Sequence, residues 1–380
     1  MERERVKEGD IIVGEPTPWN AFDQEGILLL RKGQTIESES QLEILIKRGL
    51  FHIILDKEDD RDDEPIIKAQ SPFELIDTVQ NRLEHLFNNL VAGVSNKFPV
   101  RILELSRLIQ QAIDIDDDAA LGIIFMHGKC RYTIVHPIHV AIFCEVLTRD
   151  MKWSENDRLV LMAAALTQNV SIIELQERLY DQKTPLTEEQ RKMIIEHPEH
   201  SVEILSQAGV TNRAWIDVVL NHHELLDGSG YPAGLKGYAI PKSARLITIG
   251  DIYCAAVSEG TYRASSSPDE AMKEIYLSGG NHVDTDLINR CVKLIGIYPP
   301  GIFIRLANGE IAVVTHRGEK AHLPVVHSVA RANGKVFLEP RKRDCSKDEY
   351  AIKEVITDEQ DKITVNRCQL WGHGSLLPSG

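Results

Sequence analysis

The sequence predicts a mainly α-helical bundle, with a small α/β or β-rich module before it and a short β-rich extension after it. Three observations lead there. Apolar residues recur at helical spacing through most of the middle of the chain, a charged run near residue 60 interrupts any core, and short β-type runs follow the turn Tyr298-Pro299-Pro300-Gly301. A chain of 380 residues with 43% hydrophobic residues is long enough for one large core and a smaller module.

From Gly9 to Leu55, the apolar runs Ile11 to Val13 and Ile27 to Leu30 sit among turn residues, and the periodic stretch from Ser38 to Arg48 reads as a helix. Asp56 to Pro65 is dense in Asp, Glu and Lys with no apolar period, so it cannot pack and reads as a solvated linker closing a module of residues 1–64. Residues 65–115 place Leu75, Val79, Leu83, Leu86, Phe87 and Leu90 at helical spacing and predict one or two connecting helices. The main domain, residues 116–298, is helical almost throughout. Thr187-Glu188-Glu189-Gln190 is a capping box, in which hydroxyl and amide side chains satisfy free groups of the first turn, and His197 is expected at the end of that helix. Ser267-Pro268-Asp269-Glu270 opens another helix, with Pro where its missing N–H costs nothing. In the extension, residues 299–380, the runs Ile302 to Ile304 and Ile311 to Val314 flank the turn Asn308-Gly309.

A net charge of −14 excludes a protein that coats nucleic acid or an anionic membrane, since either role needs a basic footprint. A small anionic nucleotide in a locally basic pocket stays compatible with it. The six cysteines form no CxxC pair, which suits reduced thiols rather than a disulfide framework or a thiolate metal site. No apolar run approaches the ~20 residues that span a bilayer. The first residues, Met1 to Arg5, are charged and lead into no long apolar stretch, so a cytoplasmic protein is expected.

The chemistry-bearing residues are histidines and carboxylates on successive helices: His136 and His139 in Tyr-Thr-Ile-Val-His-Pro-Ile-His, then His197, the pair His222-His223, and Asp251. Singly, such a histidine is more often a surface or satisfied core residue than a ligand. Jointly, imidazoles and a carboxylate on several helices of one bundle are what a hydrolytic metal centre uses. The pair opens the string His222-His223-Glu224-Leu225-Leu226-Asp227-Gly228-Ser229-Gly230-Tyr231-Pro232. It reads as a helix end carrying two imidazoles, then a loop whose glycines permit unusual backbone angles and whose proline stiffens the exit. A substitution at Gly230 is expected to disturb this loop and leave the helical core folded.

That string resembles the HHE-x-x-DGxGYP signature of HD-GYP proteins. The resemblance runs from about Arg131 to Tyr298: His136 matches the first family histidine, Leu186 to Glu189 with His197-Pro198 the next motif, and Gly250 to Tyr253 the last metal aspartate. It implies the all-α bundle of the HD superfamily and hydrolysis of cyclic-di-GMP by a hydroxide on two or three metals. It also places the family's His-Asp pair at Gln168 and Asn169, and its Gly and phosphate-facing Lys at Ser171 and Ile172; none of the four is kept, so no intact catalytic residue is expected there. The glutamate of three-metal members falls at Tyr132. Loss of the bridging carboxylate is severe, because two dications ~4 Å apart repel by roughly 17 kcal/mol at an effective dielectric of 20.

What the resemblance leaves is His136 and Asp251 on one side and His197, His222 and His223 on the other, enough for one transition metal, Fe, Mn or Zn. Asp227, Gly228, Gly230, Tyr231 and Pro232, with Lys236 and Arg245, form the expected substrate or partner loop, and Lys242 and Arg263 are further cations. The function so implied is that of a degenerate HD-GYP protein of cyclic-di-GMP signalling, its phosphodiesterase activity lost or strongly impaired. It would sense the nucleotide or bind a partner: cyclic-di-GMP, a diguanylate cyclase (GGDEF) domain, or a second copy of itself. The alternative is an active metal-dependent phosphodiesterase on a single-metal or reorganised site, drawing on His139 or His200. A third reading is a scaffold whose histidines are relics.

Overall fold

The computed structural model describes residues 3–5, 13, 21–22, 28–30, 36, 42, 51–53, 71–126, 130–180, 182–258, 266–278, 282–320, 322–357 and 363–373. It comprises two compact units, residues 1–68 and 69–380. In the first, β1 (Arg3–Arg5), β2 (Ala21–Phe22), β3 (Leu28–Leu30) and β4 (Phe51–Ile53) form an antiparallel sheet in the order β1-β4-β2-β3. The helix expected over 38–48 falls almost wholly outside the described residues, as does the charged run 56–65.

The second unit begins with α1 (Pro72–Val91), whose first turn is capped by Ser71 Oγ accepting from Glu74 N–H at 3.2 Å, and α2 (Phe98–Ile115). After α3 (Asp117–Gly122) comes α4 (Tyr132–Asp150), buried on every side from Thr133 to Thr148, as a helix that is apolar all round must be. Around it stand α5 (Glu155–Thr167), α6 (Ile173–Tyr180), α7 (Glu188–Gln207), α8 (Arg213–Asn221), α9 (Lys242–Val257), α10 (Pro268–Ser278) and α11 (Thr285–Ile295). The capping box forms at the start of α7: Thr187 Oγ1 accepts from Gln190 N–H (3.1 Å), and Gln190 Oε1 accepts from Thr187 N–H (3.0 Å). The helix does not stop at His197 as the sequence suggests. It runs through Pro198 to Gln207, and the added turns bury Ser201 and Leu205.

After Gly301 the chain builds a second antiparallel sheet from β5 (Phe303–Leu306), β6 (Ile311–His316), β7 (Val325–Ala330), β8 (Val336–Arg343) and β9 (Ile352–Ile356), in the order β8-β7-β6-β5-β9. Asn308-Gly309 makes the β5–β6 turn, Gly309 at a φ of 83°. Alternation splits the strands between two cores. Phe303, Val313, Val329 and Ile356 join the helices, while Ile304, Leu306, Ala312, Val314 and Val326 pack into a smaller cluster. A last short helix, α12 (Arg367–Leu370), delivers Trp371, whose ring meets Phe73 edge-on at 5.4 Å and whose indole N–H donates to the Thr315 carbonyl at 2.7 Å. The boundaries expected at 115 and 298 both fall inside this one unit, the first between two helices and the second where helices give way to strands.

Candidate metal centre

The ends and middles of α4, α5, α7, α8 and α9 bring the sequence-selected residues to one place. The Trp215 indole N–H on α8 donates to Thr167 Oγ1 at the end of α5 (2.8 Å), and Thr248 Oγ1 on α9 donates to the His222 carbonyl (2.7 Å), so the three helices are pinned beside the histidine pair. His197, His222 and His223 offer ring nitrogens that all lie within 4.8 Å of one another. They are the one such set of three metal-ligand residues among the described residues, so His139, buried on α4, and His200, exposed on α7, do not extend it.

Local sequence fixes how these rings point. Pro198 has no N–H to give the carbonyl of Ile194 four residues earlier, and that freed oxygen accepts the Nδ1–H of His197 at 2.6 Å. His222 follows the last turn of α8, where carbonyls lack helical partners, and its Nδ1–H bonds Val219 O at 2.7 Å. Both rings therefore turn unprotonated Nε2 lone pairs toward each other, 3.2 Å apart. A proton could relieve that opposition, but burial first and the charge of His222 next hold His197 down to about 3, and burial likewise lowers His222 and His223. A cation held between the two nitrogens would relieve it as well. Two ligands of one tetrahedral ion with metal–nitrogen bonds near 2.05 Å stand about 3.3 Å apart, which the observed spacing fits, and the carbonyl-held Nδ1–H groups orient the rings as metal-binding histidines require. The three histidines are a group able to hold a metal ion.

The same shifts predict acid sensitivity of chelator-treated protein. A histidine depressed below its unfolded value of about 6.5 leaves the native state with fewer protons than the unfolded chain, so stability falls as pH drops through that value toward the folded one. His197 alone then accounts for about 2 kcal/mol lost by pH 5. Urea midpoints should be clearly lower at pH 5 than at pH 7.5; equal midpoints would show that the rings are not desolvated.

The other half of the centre is differently made. His136 Nε2 and the Gln168 amide N–H both donate to Asp251 Oδ1, at 2.8 and 3.0 Å. Burial raises the Asp251 pKa, yet the bond and charge of His136, with His223 and His222, outweigh it and hold the carboxyl below its usual range. Gln168 Oε1 and Asn169 Oδ1 are buried without a hydrogen bond from the protein. Ile172 is buried and apolar, while Ser171 Oγ bonds the His197 carbonyl (2.9 Å) and Ser201 Oγ (2.9 Å), tying the turn between α5 and α6 to α7. Tyr132 stacks on the His136 ring, centroids 4.9 Å apart, and on Tyr180 at 5.8 Å.

The loop after the pair is held from beneath. Glu224, buried, spends both carboxylate oxygens on loop N–H groups, Ala233 at 2.7 Å and Leu235 at 2.9 Å. The sequence string includes Glu224 but does not reveal its role beneath the loop. Tyr231 stacks on His223 at 4.8 Å, and its N–H bonds the His223 carbonyl. Asp227 stays at the surface with Ser229 and His282, and Lys236 lies exposed across Gly228. Arg245 differs from expectation: it is buried, ion-paired to Asp284 and stacked under Tyr238 at 5.0 Å, so its charge is already balanced inside the protein. Lys242 is exposed, and Arg263 lies outside the described residues. Gly230 also departs from expectation. A Cβ there would stand 2.5 Å from the His223 carbonyl oxygen and 2.6 Å from Glu224 Cα. Gly230→Val should therefore displace His223 and weaken metal retention by about tenfold or more, since misoriented ligands cost on that scale. Unchanged metal retention in that variant would show that the loop yields instead.

Comparison with known proteins agrees with this geometry. Residues 101–287 match the HD domain family model. Similar proteins include the cyclic di-GMP phosphodiesterase PA4108 of Pseudomonas aeruginosa, 28% identical over 58% of this chain and 53% of that one. Another is the cyclic di-GMP phosphodiesterase PdeB of Borreliella burgdorferi, 23% identical over 64% of each. Residues 101–287 are those of an HD domain. The chain spans between half and two thirds of the length of those curated relatives. Bd1817, described as an HDG"Y"P protein from Bdellovibrio bacteriovorus, shares the fold at a TM-score of 0.50 and 15% identity, over 77% of this chain and 99% of that one. The family match begins inside α2, ahead of the boundary the sequence suggests, and no described helix is long and apolar enough to cross a membrane.

Proposed function

We propose that this HD-GYP domain works in cyclic-di-GMP signalling with its phosphodiesterase activity lost or strongly reduced. It would retain one ion at His197, His222 and His223 and act by sensing the nucleotide or binding a partner. The observation that carries this reading is the hydrogen-bonded group His136–Asp251–Gln168. In it, an amide N–H occupies the carboxylate that a second ion would need, and Asn169, beside it, is neutral. Two dications without a bridging anion repel too strongly to share the site. Ile172 adds to this, since a buried aliphatic side chain gives the substrate phosphate no cation.

A divalent ion held by the three histidines would supply a Lewis acid and an acidified water. The chain's own residues do the rest: Ile194 and Val219 carbonyls fix the tautomers, Tyr231 covers the face of His223, and Glu224 keeps the loop over it. The intact three-histidine set supports a second reading, hydrolysis by a single ion. Calorimetric binding of cyclic-di-GMP, run beside product formation with added Mn²⁺ or Fe²⁺, separates the two. Binding without turnover is expected, and robust turnover abolished by His222→Ala would establish the single-ion enzyme.

A further inference from the structure

We propose that β8, the edge strand of the C-terminal sheet, is a docking surface for an acidic, extended polypeptide segment. β8 pairs only with β7 among the described residues, and its register breaks between Ser328↔Arg341 and Ala330↔Val336, pushing the intervening residues outward. Leu338, in that bulge, is 98% exposed, and Val336 is 54% exposed. Around them Arg331, Lys335, Arg341 and Lys342 are exposed with no carboxylate partner among the described residues, whereas Arg343 is held by Glu310 at 2.8 and 2.9 Å. Residues 331–343 carry a net charge of +4 in a chain of −14.

Cations and a proline, here Pro340, are how proteins keep a strand edge from pairing with others of its kind. A fully exposed leucine in the middle of that edge does the opposite. Together they describe a selective edge. Antiparallel pairing with a second copy would bring two +4 hairpins face to face, and basic strands are refused for the same reason. An acidic strand gains the charge, the apolar centre and the open main chain. A phosphate group would use only the cations and leave Leu338 and Val336 in water. None of these residues belongs to the metal centre, so the surface stands or falls independently of the cyclic-dinucleotide reading.

The probe is a short labelled peptide of alternating Glu and Val, titrated into the full chain by fluorescence anisotropy at low salt. Expected are saturable binding, none by the counterpart with Lys for Glu, and weakening by about tenfold for Leu338→Glu and for Arg341→Glu at unchanged melting temperature. High salt should weaken it as well. No peptide binding, equal binding of the Lys peptide, indifference to both variants, or preference for polyphosphate or phosphatidylglycerol vesicles over the peptide would each overturn the proposal.

Discussion

Changing Gln168 to His, Asn169 to Asp and Ile172 to Lys in one chain is expected to raise cyclic-di-GMP hydrolysis by about 100-fold or more, because ions, bridge and phosphate-facing cation act as a unit. Asn169→Asp alone should stay within about threefold of the parent, since Gln168 would still donate to Asp251 and Ile172 would still offer no charge. Gln168→His removes that N–H and frees the Asp251 oxygen. Lys at 172 starts from a buried position, but its apolar stem can follow the isoleucine while its ammonium extends outward. Linear dinucleotide formation with Mn²⁺ or Fe²⁺, followed beside metal content and melting temperature, reads the outcome. The triple variant should bind more than one equivalent of metal. A single substitution that recovers full activity would show that the other two losses do not matter.

Removing metal from the parent chain should lower its melting temperature by roughly 5–10 °C. An ion present at about 1,000 times its dissociation constant stabilises by about 4 kcal/mol, which for a domain of this size is a shift of that order. The metal-dependent part of the shift should vanish in His222→Ala and persist in His200→Ala, whose side chain is exposed outside the cluster. A shift that survives His222→Ala would place the ion elsewhere.

The helices and the identity of the clustered histidines were legible because they depend on short-range order. The capping box closes within four residues, and the string from His222 to Pro232 carries its own register. The extent of α7 was not legible: Pro198 looks like a stop locally, and only the burial of Ser201 and Leu205 against the bundle shows why the helix continues. The same proline explains the tautomer of His197, a link visible only once the Ile194 carbonyl is seen to have lost its helical donor. Arg245 was read as open because its partner, Asp284, lies 39 residues away. Gly230 was read as a tolerant loop position, and its constraint comes from backbone that the chain folds beneath it. For Arg245 the missing information was a partner distant in sequence, and for His197 and Gly230 it was the path of nearby backbone; periodicity supplies neither.

The meeting of Trp371 with Phe73 bears on how the protein is made. On a ribosome, every histidine of the metal centre emerges well before the indole that seals the first helix of the same unit. A Cβ on Gly122 would lie 2.9 Å from that indole, so the groove it fills is narrow and apolar until the ring arrives. Pairing residues almost 300 positions apart is a slow step, because loop closure precedes any gain from the contact. During that interval the nascent chain exposes Phe73 and the sheet-facing side of the bundle, the kind of surface that chaperones bind.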